Sequence, residues 1–229
     1  MMRQCEAFWR STSGAFDAGL GAVIDAWGFN RGKAAVPSAS QLMKALKNSG
    51  WRHVRLEEGF RVRRTAPVQF DFGAIAKGYA VDRAVTVLRR NGMVEALVNA
   101  GGEIRSTGGT WLIGIQHPRK QGEMIRRLKL REMAVATSGD YEQYFEADGK
   151  RYHHILDPRT LQPARSCQSV TVIAREGVWA DGLDTGIFVM GPERGMELVE
   201  QLPDVEAIII DAEGHLLVSS GLKQRVRLP

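Results

Sequence analysis

Apolar side chains recur at helical spacing over residues 18–29 (AGLGAVIDAWGF), and this stripe is closed by Asn30 and Gly32. Ser38 stands where an N-cap is needed for a second helix over 41–48, which Gly50 stops. Two helices after a short polar lead are therefore expected. Residues 51–56 and 60–64 then read as a hairpin around Glu58 and Gly59, followed by a strand over 68–70. From Asp71 the period changes again: a turn feeds a long helix with Ala80, Ala84, Val87 and Leu88 on one face and Gly92 at its end.

Strand-like runs follow at 95–99, 103–106, 111–116, 124–130, 133–136, 141–146, 151–156 and 168–174. Helices are expected over 179–190 and 193–201, and closing strands over 207–210 and 216–219. Strands that run consecutively with helices set apart make the class α+β, with mostly antiparallel sheets and packed helices, rather than a doubly wound sheet. Neither an internal repeat nor a long Pro/Gly/Ser linker divides the chain, so residues 1–229 read as one domain.

Composition changes this picture little. Hydrophobic residues at 44% and charged residues at 25% are ordinary globular usage, which argues against a disordered or fibrous chain. Lys and Arg number 31 against 26 Asp and Glu, a net charge of +5. The densest basic patches, Arg61/Arg63/Arg64 and Arg126/Arg127/Lys129/Arg131, largely alternate with Val, Ile or Leu as solvent-facing strand positions do. No nucleic-acid-binding motif accompanies them, and a modest positive field suits an anionic small molecule equally well. Cys5 and Cys167 are too few for a disulfide framework and lack zinc-ligand spacing. No run approaches the roughly 20 apolar residues of a membrane helix, and no signal-peptide pattern is present, so the compartment is left open.

Four polar or glycine-rich clusters interrupt the apolar patterning. Residues 71–78 (DFGAIAKG) pass from a strand end into a helix, where free amides, the helix dipole and Lys77 suit a phosphate; a turn with a capping Asp and a solvated Lys explains the same residues. Residues 99–103 (NAGGE) permit close backbone approach to a ligand, or simply a hairpin turn. Residues 137–140 (TSGD) precede YHHILDPRT, in which strand alternation sends His153 and His154 to opposite faces, so at most one lines a given site. Finally, Asp181, Asp184 and Thr185 stand at i, i+3 and i+4 of an otherwise apolar helix, and hard oxygen ligands on one face suit Mg²⁺ or Ca²⁺. Two buried carboxylates there would repel each other unless a cation or proton lay between them.

In order, GAFDAGLGAVIDAWGF, DFGAIAKGYAVDRA, LVNAGGEIRSTG, ATSGDYEQYF, YHHILDPRT and ADGLDTGIFVMG resemble the ApbE family of FAD:protein FMN transferases, from about Ser13 to Gly191. The resemblance implies an ApbE-like α+β fold and Mg²⁺-dependent transfer of the FMN half of FAD onto a Ser or Thr hydroxyl of a target protein, releasing AMP. The target would be a subunit of a NADH:quinone reductase or electron-transfer complex. Matched residue by residue, it implies FAD contacts at Ala15, Phe16, Asp17, Asp71, Lys77 and Ile155. It implies metal ligation by the Ala74 carbonyl, Asp181, Asp184 and Thr185, and places His154 near the transferred phosphate, with His153 turned away.

Two positions depart from the family pattern: Leu161 replaces a glycine and Gly182 replaces an alanine. The chain also begins close to GAFD, so an N-terminally truncated or shortened member is expected, and periplasmic or inner-membrane lipoprotein status follows only by resemblance. Cys5 lacks a lipobox and is not read as a lipid anchor. Two other activities stay open: an FAD pyrophosphatase that uses water as nucleophile, and a flavin-binding protein without turnover.

Overall fold

The computed structural model describes residues 1–30 and 33–225. The chain opens with α1 (Met2–Ser11), a helix where only a polar lead was expected. Its buried side is Cys5 and Phe8, with Thr12 behind them, a helical spacing hidden in a short, strongly polar segment. The second helix, α2 (Gly21–Trp27), is shorter than its apolar stripe and ends at Gly28, whose φ of 78° is the left-handed C-cap that glycine accepts without strain. The expected stop at Gly32 lies outside the described residues. Helix α3 (Ala39–Leu46) starts from a capping box, in which Ser38 Oγ accepts from the Gln41 amide at 3.3 Å and Gln41 Oε1 accepts from the Ser38 amide at 2.8 Å.

A hairpin of β1 (Val54–Leu56) and β2 (Val62–Arg64) follows. The strand expected over 68–70 does not form. The backbone there bonds to loops instead: the Gln69 amide donates to Asn48, the Asp71 amide to Ala18, and the Gly21 amide to the Gln69 carbonyl. Helix α4 (Gly73–Arg90) buries Ile75, Gly78, Val81 and Val85. The face inferred from Ala80, Ala84, Val87 and Leu88 is therefore not its core side, and Val87 is exposed.

The rest is built on an antiparallel sheet. Strands β3 (Ala96–Ala100), β4 (Glu103–Thr107), β7 (Ala134–Gly139), β12 (Cys167–Ala174), β13 (Glu206–Asp211) and β14 (Leu216–Val218) pair in the order β14-β13-β12-β7-β4-β3. Three two-stranded pieces accompany it: β5 (Trp111–Gln116) with β6 (Met124–Leu130), β8 (Tyr144–Ala147) with β9 (Lys150–His153), and β10 (Leu156–Asp157) with β11 (Gln162–Pro163). The strand expected over 141–146 starts only at Tyr144. The run over 151–156 is split, which leaves His154 and Ile155 between two ribbons.

Period-two alternation buries both faces of the sheet. Ala134, Ala136, Val170, Val172, Ala207 and Ile209 meet helix α5 (Gly177–Met190) through Leu183 and Ile187. Val135, Ile173 and Ile208 on the reverse meet Ile113, Ile115, Leu128 and Leu130 of the β5–β6 ribbon. Helix α6 (Pro192–Gln201) begins with proline at its first position, after the Gly191 break, and α7 (Ser220–Arg225) closes the described chain. Helices beside an antiparallel sheet make this an α+β fold, as the patterning implied. Among the described residues no helix is long and apolar enough to cross a membrane.

Both departures from the family pattern have a packing reason. Leu161 has φ 59°, the left-handed conformation that a glycine would favour, but it is buried with Trp27 and Leu42, and its carbonyl accepts Trp27 Nε1 at 2.9 Å. Gly182 makes room for Phe8 of α1: a Cβ there would lie 2.4 Å from the Phe8 ring, which is itself held between Phe16 and Trp179. Gly182→Ala should therefore destabilise the protein by about 1–2 kcal/mol, since overpacking outweighs the gain of about 1 kcal/mol in helix propensity. Thermal melts check this, with Phe8→Leu expected to recover part of the loss in the double variant.

Candidate active site

The site begins where α4 crosses α5. Gly78 and Gly177 face each other so closely that a Cβ on Gly78 would lie 2.2 Å from the Gly177 carbonyl oxygen. This approach lets Asp82 of α4 cap α5, accepting from the Gly177 amide at 2.7 Å and the Val178 amide at 2.9 Å. It also lets the Gly78 amide donate to Asp181 Oδ2 at 2.7 Å. In the helical ladder that same amide stands opposite the Ala74 carbonyl, and one hydrogen cannot serve both acceptors fully. The Gly78 amide, expected from the sequence to add positive potential toward a phosphate, is committed to Asp181 instead.

Around this crossing lies a cavity of about 670 Å³. Its wall includes Ala15, Phe16, Asp17, Asp71, Ala74, Lys77, Gly102, Thr137, His154, Ile155, Asp181 and Thr185, so all six of the sequence motifs contribute to one concavity. Asp184 sits behind the wall, 1% exposed, its Oδ1 accepting from Ser138 Oγ at 3.1 Å and Thr185 Oγ1 at 3.2 Å. Asp17 turns its carboxylate to the Gly19 and Trp51 amides, 2.7 and 2.9 Å away. Asp71 accepts from the Gly73 amide at 2.7 Å and from Asn30 Nδ2 at 2.5 Å. Both acids therefore shape the backbone of the rim as well as facing the cavity.

Sequence reasoning assigned no role to Glu103 or Ser138, although each lies in a cluster it singled out. The Glu103 side chain is 4% exposed, and its Oε1 lies 2.6 Å from Lys77 Nζ. Its Oε2 is buried and has no hydrogen-bond partner among the described residues. Ser138 lines the cavity and joins Thr185 at 3.0 Å. A buried acid directly after two glycines was the available signal.

Charge is crowded here. Asp181 is pushed up to about 6, chiefly by burial and further by Glu103, against the Gly78 hydrogen bond and Lys77. Asp184 is held well above the carboxylate range by burial and by the repulsion of Asp181 and Glu103. Burial works against the Lys77 charge, but Glu103, Asp181 and Asp184 outweigh it and hold the ammonium above its usual range. Three acids thus share one lysine. The three carboxylates do not all close to within 4.8 Å of one another, but Asp181 and Asp184 with the Thr185 and Ser138 hydroxyls bring oxygen donors and little positive charge to one side of the cavity, a chemistry that suits a hard divalent cation.

The two histidines part as alternation required. His153 is buried edge-on to Phe188; Nε2 donates to the Ala164 carbonyl at 2.7 Å, Nδ1 accepts the Ile155 amide, and burial lowers it to about 4. His154 lines the cavity. Its Nδ1 lies 3.3 Å from the Gln143 carbonyl, which can only accept, so the ring proton sits on Nδ1 and Nε2 is a free base. Burial lowers His154 too, which keeps it neutral. Asp157 fixes the turn beyond by accepting from the Arg159 amide and guanidinium at 2.8–2.9 Å.

The profile of the ApbE family matches residues 1–209. The FAD:protein FMN transferase of Treponema pallidum is 35% identical, over 96% of this chain and 67% of that protein. Its namesake from Klebsiella pneumoniae is 36% identical, over 93% of this chain and 68% of that protein. Among solved structures, the ApbE protein of Thermotoga maritima superposes with a TM-score of 0.91 at 38% identity, covering 99% of this chain and 77% of that one. The flavin transferase ApbE of Vibrio cholerae gives 0.87 at 32%, covering 97% and 74%. The chain spans about two thirds of the length of these curated relatives.

Proposed function

From the premise that the chain belongs to the ApbE family, we propose that it moves the FMN half of FAD onto a Ser or Thr hydroxyl of a target protein and releases AMP. The observation that carries this reading is the oxygen-rich, cation-deficient group of Asp181, Asp184, Thr185 and Ser138 in a cavity that also presents Lys77 and a neutral His154. A bound Mg²⁺ would supply charge neutralisation at the pyrophosphate. Asp181, Asp184, Thr185 and the Ala74 carbonyl would hold it.

The remaining work belongs to the chain. The acceptor oxygen attacks the FMN-side phosphorus, the bond from that phosphorus to the bridging oxygen breaks, and AMP leaves with that oxygen. His154 Nε2 accepts the hydroxyl proton, and Lys77 offers its ammonium to a phosphate oxygen. Ala15, Phe16, Asp17, Asp71 and Ile155 line the part of the cavity left for the rest of FAD. Little covalent chemistry is asked of the protein, so positioning dominates.

The test is incubation with FAD, Mg²⁺ and a Ser/Thr-bearing domain of a flavin-carrying reductase subunit, with covalent flavin fluorescence on the acceptor as readout. Free FMN and AMP without labelling would show the pyrophosphatase activity in its place. FAD binding without AMP release would mark a binding protein.

Stability should report the same cluster. Burial pushes Asp181 up to about 6 in the folded chain, above the ordinary carboxylate value of 3.8 that it has when unfolded, so folding binds protons between them. Stability of the cation-free protein therefore falls as pH rises through that window. In chelator, Tm should be lower near pH 8 than near pH 5, and Mg²⁺ should restore it at the higher pH. A Tm that rises with pH and ignores Mg²⁺ would contradict the assignment.

A further inference from the structure

The arginine-rich β1–β2 hairpin takes no part in the cavity chemistry. Its tip carries Phe60, 98% exposed, with Val62 at 42% beside it. Gly59 and Phe60 both have positive φ, 65° and 63°. A bulky residue in the left-handed region is strained where glycine or asparagine would not be, so local stability does not account for a phenylalanine here. Arg61 and Arg63 stand next to it, while the exposed Arg52, Arg55 and Arg64 lie toward the base of the hairpin, where Arg55 and Arg64 donate to the Val54 and Val68 carbonyls; the acids of the hairpin are Glu57 and Glu58, both half-buried. Arg61 and Arg63 share the single Glu57 carboxylate, at 3.9 and 2.9 Å.

We propose that this hairpin is a docking tip for an anionic phospholipid surface. Exposure and charge favour a bilayer over a protein. A Cβ added to Gly59 would meet nothing within 4 Å, and the Phe60 ring beside it is 98% exposed, so the turn faces open solvent. An aromatic anchor at a protein interface fills a packed, desolvated patch, whereas a lone exposed ring above a stem with five arginines and two acids matches a headgroup layer, with the ring at the interface and the cations toward lipid phosphates. The stem is fixed: Val54 is buried in the core, the Thr65 amide donates to the His53 carbonyl at 2.9 Å, and the Trp51 amide is held by Asp17.

The full chain is sedimented with phosphatidylcholine vesicles and with vesicles containing a third phosphatidylglycerol, at low and high salt. Wild type should partition onto the anionic vesicles only, and release with salt. Phe60→Asn, which suits the left-handed turn, should weaken partitioning about fivefold or more, and Arg61→Gln/Arg63→Gln about tenfold with a flatter salt dependence. Both variants should keep the wild-type thermal transition. Absent binding, equal binding to neutral vesicles, unaltered binding by both variants, or Phe60-dependent capture of the acceptor domain without vesicle binding would overturn the proposal.

Discussion

Asp181→Asn should abolish flavin transfer while leaving the cation-free protein at least as stable as wild type. The amide replacement keeps an oxygen for the Gly78 N–H, so the α4–α5 contact survives. It removes one of three acids crowded around Lys77, and with it the repulsion that raises Asp184. Losing one anionic ligand removes charge stabilisation at the pyrophosphate, a rate loss of about a hundredfold or more. Transfer assays with thermal melts in chelator and in Mg²⁺ check this: the variant should melt at or above wild type in chelator and gain little from Mg²⁺. A variant that merely unfolds, or one that transfers flavin at the wild-type rate, would remove Asp181 from the role given to it.

Gly78→Ala should damage both the fold and the site. Its Cβ would lie 2.2 Å from the Gly177 carbonyl oxygen and 2.6 Å from the Asp181 Cβ, and the first of these is backbone that cannot rotate aside. The helices would have to separate, at a cost of about 3 kcal/mol or more. Separation also stretches the Gly78–Asp181 and Asp82–Gly177 hydrogen bonds, so activity should fall even where the variant remains folded. Ala84→Gly, on the same helix away from the crossing, is the control for a helix-propensity effect of about 1 kcal/mol. Denaturant unfolding and transfer rates on both variants separate the two causes.

Several of these features were legible before any coordinates. The strand-like runs over 168–174 and 207–210, the Ser38 cap and the i, i+3, i+4 oxygens of α5 are local patterns, and each falls in an element of the expected kind. The opposite fates of His153 and His154 follow from the same alternation. What escaped depended on partners distant in sequence. Helix α1 carries its apolar side on so few residues that its burial is explained by Phe8 meeting Gly182, Phe16 and Trp179, all distant in sequence or outside the helix. The stretch 68–70 has strand-like residues, yet its amides find partners at Asn48 and Ala18. Helix α4 turned its glycine, not its alanines, to the core, because the closest helix crossing rather than the broadest apolar stripe set its orientation. Glu103 could be seen as an acid after two glycines, but its pairing with Lys77 from another element could not.

The measurement that bears most directly on the central claim is AMP release from FAD, followed together with covalent labelling of an acceptor domain, in Mg²⁺ and in chelator. The account predicts AMP and labelled acceptor in equal amounts, only with Mg²⁺, and neither with Asp181→Asn. AMP release of the same size in chelator, or none under any condition with FAD bound, would contradict it.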